Sequence, residues 1–241
     1  MEREPLLTAL ARDGATFAEA CEAAGPDAAV PACPGWSVAD LMWHLAEVHH
    51  FWRTVVAEQR DTWEGHEPPS RPSDAELSAF YRAGLAATIA VLSGAPFDQD
   101  NWTWTSDHSA GWVVRRMAQE TAVHCSDALQ AAGRDPAIEA ELASDGIDEF
   151  LQYFLEGRDG AEPAGGSVHL HCTDVAGEWT VRPQPDGTNA VAREHAKGDC
   201  ALRGAASDLL LVLWRRLPVA AIDVVGDGEV AARFLAFPAL E

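Results

Sequence analysis

The apolar residues of this 241-residue chain change their period once, and that change limits the folds open to it. Up to about residue 157 they recur at steps of three and four, as one face of a helix does. Leu6, Leu7, Leu10, Ala11, Phe17, Ala20 and Cys21 set the pattern, which AAGPDAAVPACPG then breaks. Ser37, with Asp40 three residues on, reads as the capped start of a second helix reaching about Glu58. Ser73 can cap a third through Leu92, and a fourth runs from about Ala110 to Ala132, where Gly133 stops it. DPAIEAELASDGIDEFLQYFLEG reads as a fifth, with a break expected near Gly146.

After the Gly/Pro-rich EGRDGAEPAGG the apolar residues alternate instead. SVHLHCTD and GEWTVRPQ read as strands, PDGTN as a turn, and NAVAREH and CALRG as further strands. ASDLLLVLWRRL is a short apolar helix, AAIDVVGD another strand, and VAARFLAF a closing helix. The expected fold is therefore α+β and multi-domain. A helical bundle spans residues 1–157, and a small α+β domain spans residues 166–241.

Charge narrows the partners. Seventeen basic against 38 acidic residues give a formal net charge of −21, which repels phosphate backbones and anionic lipid surfaces. Neither nucleic acid nor a membrane is expected as a partner, and no run approaches the roughly 20 apolar residues of a membrane helix. MEREPLLTALARDG lacks the layout of a signal peptide. Five cysteines, none in a CxxC pair, fit a reduced cytoplasm.

Three residues could share one chemistry. On the second helix Leu41, His44, Leu45, Val48, Phe51 and Trp52 form an apolar stripe. His44 is thus expected to point inward, with His49 and His50 off that face. On the fourth, Glu120 and His124 stand at i, i+4 on one face, beside Val113, Met117 and Ala128. A buried carboxylate needs a partner or a cation. A divalent metal would satisfy all three groups and leave a coordination position open, as in catalytic zinc sites. The plainer alternatives are a core histidine held by one hydrogen bond and a chance helix-stabilising Glu–His pair.

Other features carry less. Trp102, Trp104 and Trp112 could line a pocket or simply fill core. Arg115 and Arg116, one turn before Glu120, are either solvated or able to grip a carboxylate. Arg215 and Arg216 end the short apolar helix and could complete an anion site. Cys125 points about 100° from His124 and is a poor ligand. HSAG and HLH are too short to carry a chemical reading, and no Walker loop, GxGxxG or GxSxG is present.

CPGWSVADLMWHLAEVHHFW strongly resembles the second-helix signature of the mycothiol-dependent maleylpyruvate isomerase family, a branch of the DinB-like metal-binding four-helix bundles. WVVRRMAQETAVHCSDALQAAG, SDGIDEFL and LRGAASDLLLVLWRRLP…VVGD resemble its fourth helix, the segment after it, and its C-terminal domain. The resemblance covers nearly the whole chain. It implies a metal triad of His44, Glu120 and His124, usually holding zinc, and the thiol cofactor mycothiol. A metal-bound thiol loses its proton near neutral pH. Reversible addition of that thiolate to a conjugated cis double bond permits rotation and elimination, while related members transfer the thiol instead. Arg216 best matches an arginine implicated in the isomerase, with Arg215 its neighbour. Gln119 departs from the family, where many relatives carry histidine.

The implied function is a mycothiol-dependent metalloenzyme acting on a small electrophile, as a cis–trans isomerase or an S-transferase. It would be cytoplasmic, and monomeric or a homodimer. The alternatives are a metal-stabilised small-ligand-binding protein and a metal-dependent hydrolase.

Overall fold

Four long helices build the first half of the chain: α1 (Arg3–Ala24), α2 (Val38–Ala57), α3 (Asp74–Gly94) and α4 (Ala110–Ala131). These come from a computed structural model that describes residues 1–156 and 164–240. Each helix begins where its local chemistry says it should. Ser37 and Asp40 close a reciprocal capping box on α2, and Ser73 and Glu76 do the same on α3. Ser109 caps α4 by accepting from the Trp112 N–H. Gly133, at φ 68°, supplies the left-handed residue just past its end.

Within this bundle α1 packs on α4 and α3, and α2 packs on α3 and α4. α2 and α4 run antiparallel, since His44 meets His124 and Trp52 meets Trp112. α4 is the central helix, buried along nearly all its length. By length and apolar content α3 could cross a membrane, the one such helix among the described residues and more than the sequence led us to expect. Here it turns Leu77, Tyr81, Leu85, Thr88 and Leu92 into the bundle core.

The remaining chain forms α5 (Ala140–Tyr153), β1 (Val168–Cys172), β2 (Glu178–Pro183), β3 (Asn189–Ala192), β4 (Cys200–Gly204), α6 (Ala206–Leu213), β5 (Asp223–Gly226) and α7 (Gly228–Ala236). The strands form one sheet in the order β3-β2-β1-β4-β5, in which β1 and β4 are parallel and every other pair is antiparallel. Alternation sets its faces: Val168, Leu170 and Cys172 of β1 are buried, as are Trp179 and Val181 of β2. α5 packs on α6, and α7 packs on β4, β1 and β5.

Two expectations differ from these elements. The chain divides into compact units at Pro136/Ala137, some twenty residues before the boundary read from the sequence. α5 belongs with the sheet because it packs on α6, Ser144 donates to the Ala176 carbonyl, and Asp148 accepts from the Trp179 indole. The Gly/Pro-rich linker falls largely outside the described residues. α5 also runs unbroken through Gly146, which is buried.

Candidate metal centre

α2 and α4 bring His44, Glu120 and His124 together. Their donor atoms all lie within 4.8 Å of one another. Glu120 Oε1 is 3.4 Å from His44 Nε2 and 3.2 Å from His124 Nε2, and the two imidazoles meet edge-on with centroids 5.0 Å apart. The antiparallel pairing places one donor from α2 opposite two from a single turn-and-a-bit of α4.

The surrounding groups orient these donors. His124 Nδ1 is 2.9 Å from Oδ2 of Asp127, a carboxylate with no solvent exposure, so Nε2 is left facing Glu120 and His44. Arg116, only 3% exposed, donates to Glu120 Oε2 at 2.6 Å. This arginine, open on sequence grounds to solvent or substrate, is buried and pairs with Glu120. Burial pushes the Glu120 carboxyl up, but Arg116 and then His124 and His44 outweigh it and hold the group well below the usual carboxylate range. Burial likewise works against charge on His124, yet Glu120 and Asp127 raise its pKa to about 9. Two carboxylates and one guanidinium thus hold one positive charge among the imidazoles, either a proton on His124 or a metal cation in its place.

The turn before α2 closes one side. Gly35 takes φ 87°, a left-handed conformation suited to glycine, and Trp36 N–H returns to the Cys33 carbonyl. Trp36 then meets His44 with ring centroids 5.0 Å apart, and the Cys33 thiol donates to Asp127 Oδ2 at 3.7 Å. Trp36, Cys33 and Asp127 were missed as neighbours of the site. Asp127 was readable from its i, i+3 spacing to His124, whereas Trp36 and Cys33 reach the site through a non-local contact of the CPGW turn.

His44 and His49 exchange the roles read from the sequence. His44 lies on the flank of the buried stripe and is partly exposed, whereas His49 has no exposed surface. The stripe runs through Met42, Leu45, His49, Trp52 and Val56. His49 is the core histidine: Nε2 sits 2.8 Å from Thr121 Oγ1 and the ring stacks on Tyr81, while Nδ1 is buried with no hydrogen-bond partner among the described residues. Burial pulls its pKa down to about 3. The unfolded chain takes up a proton at this ring below about pH 6.5 and the folded one does not, so stability falls as pH drops from 6.5 toward 3. Between pH 7 and pH 5 His49 should remove about 2 kcal/mol of stability. Urea unfolding of His49→Gln beside the parent, at both pH values, should show that loss reduced by the same amount; an unchanged difference would refute it.

The protein's own thiols are poor nucleophiles. Burial pushes Cys21 and Cys125 up to about 12, and Cys172 and Cys200 are buried as well. Cys33 is the only cysteine with partial exposure. Brief alkylation of the native protein, read by mass spectrometry, should therefore modify Cys33 first, and Cys33→Ser should remove the early label.

The aromatic run before α4 is mostly core. Trp52 and Trp112 are buried and pack with Trp102 and Trp104, of which Trp104 is half-exposed. In the sheet-bearing unit, Arg215 is a structural residue. It takes φ 59° after α6 and donates to the carbonyls of Leu235, Ala236 and Pro238. Arg216 is partly buried, with one guanidinium nitrogen 2.8 Å from the Trp214 carbonyl.

Residues 7–129 match the family described as the mycothiol maleylpyruvate isomerase N-terminal domain, and residues 141–233 match its C-terminal domain. The division at Pro136/Ala137 falls between the two segments. No curated protein sequence matches the chain. Two solved structures share its fold over 93% of this chain and 93% of theirs, each with a TM-score of 0.63. One is the mycothiol-dependent maleylpyruvate isomerase, at 12% identity. The other is a histidine-to-alanine mutant of it, at 11%. The N-terminal match alone takes in about half of the chain, including both helices that carry the donor cluster, and the chain belongs to the mycothiol maleylpyruvate isomerase family.

Proposed function

We propose that this protein is a mycothiol-dependent isomerase whose helical unit holds one divalent metal through His44, Glu120 and His124. The convergence of two imidazoles and one carboxylate within 4.8 Å carries the reading. That donor set suits zinc and leaves a position for a further ligand. A buried carboxylate behind His124 Nδ1 adds the outer support usual for a metal-binding histidine. Bound there, the metal would supply the Lewis acidity that makes a thiol a nucleophile near neutral pH.

The chain's own residues would do the rest by holding still. Asp127 fixes the ring orientation of His124, Arg116 anchors Glu120, and Trp36 covers one side of His44. None of the four buried cysteines competes as nucleophile. The substrate would be a small electrophile with a conjugated cis double bond, of the maleylpyruvate type. Arg216, the arginine to which the family resemblance points, would take a substrate carboxylate.

Metal-loaded protein given maleylpyruvate and a small amount of mycothiol tests the reading. Trans product should exceed the thiol added, and chelation should stop its formation. Consumption of one thiol per product would instead favour S-transfer. Equal turnover without thiol, or none with it, would overturn the proposal.

A further inference from the structure

A second group of metal-ligating side chains lies wholly within the sheet-bearing unit. His169 and His171 are two apart on β1, so the pleat turns both imidazoles to the same face, opposite buried Val168, Leu170 and Cys172. Antiparallel pairing sets Glu178 of β2 directly across from His171. His195, between β3 and β4, brings a third imidazole from a loop. Its ring stands 5.3 Å from that of His169 at 88°, and the His169 and His171 rings are 5.9 Å apart.

All three rings turn a nitrogen to the one carboxylate. Glu178 Oε2 is 3.1 Å from His169 Nε2 and also meets His195 Nδ1, and Oε1 is 3.2 Å from His171 Nδ1. The four donor atoms lie within 4.8 Å of one another. One carboxylate can balance one imidazolium, so a third imidazole exceeds what an ion pair needs. Beside the cluster Thr180 stands opposite His169 on the same face. Its hydroxyl is buried and has no hydrogen-bond partner among the described residues.

We propose that His169, His171, Glu178 and His195 form a second divalent-metal site. Three imidazoles and one carboxylate select an ion of the zinc, cobalt, nickel and copper class over magnesium or calcium, which take oxygen donors. Four protein donors make a closed, structural set rather than an open catalytic one. The ion would fasten the connection after edge strand β3 to the middle of the sheet, reinforcing the hydrogen bond that already joins His195 to Glu178.

Cobalt(II) titration of chelator-stripped full-length protein tests this, read by bound metal per chain and by the visible absorption of tetrahedral cobalt. The His44→Ala protein, impaired at the first cluster, should still bind one equivalent. His171→Ala/His195→Ala introduced into that protein should abolish the binding. His195 is exposed, so His195→Ala alone keeps the fold and should weaken cobalt binding at least about tenfold. No binding in the His44→Ala protein, or binding that ignores His171 and His195, would overturn the proposal. The triad stands or falls apart from this: His44→Ala leaving the parent's metal content unchanged would refute the first site while the His195 result still decides the second.

Discussion

Glu120→Ala should lose the metal of the helical unit and destabilise the protein by about 3–5 kcal/mol, the range for removing one partner of a buried ion pair. The size follows from Arg116, which is 3% exposed and donates to Glu120 at 2.6 Å. Alanine would take a carboxylate partner away from that buried guanidinium. Adding Arg116→Met should recover most of the stability without recovering the metal. Urea unfolding and metal analysis of the single and double variants separate the two effects. Metal retained in Glu120→Ala removes this residue from the ligand set, and a double variant no more stable than the single refutes the account of the ion pair.

His44→Ala should show the opposite profile: little loss of stability and a large loss of turnover. His44 is partly exposed and its removal opens no deep cavity, so unfolding of the metal-free protein should move by no more than about 0.5 kcal/mol. If the metal contributes several kcal/mol to the reaction, losing a ligand should lower kcat by roughly 1000-fold. His49→Ala, a few residues along the same helix, makes the useful contrast. It opens a cavity in the core and should cost stability first. Turnover within a few-fold of the parent in stably folded His44→Ala would rule out the triad as the seat of the chemistry.

Much of this was legible because it is local. The boundaries of α2 and α3 follow from capping serines and the acidic residues three positions on, and Glu120 and His124 share a face by helical spacing alone. What escaped depends on which neighbours a face meets. α2 packs against both α3 and α4, so its buried arc extends to His49, and a stripe drawn through Val48 and Phe51 is rotated from the real one. α5 reads as one more bundle helix because its apolar face says nothing of its partner, which is α6. HLH carried no meaning as a triplet. It gains one only when strand register sets Glu178 across from His171 and a loop returns His195 to His169.

The division at Pro136/Ala137 has an evolutionary consequence. His44, Glu120 and His124 precede that point, and Arg216 and the sheet follow it. Each stretch packs its own core, so the two can diverge in sequence at different rates.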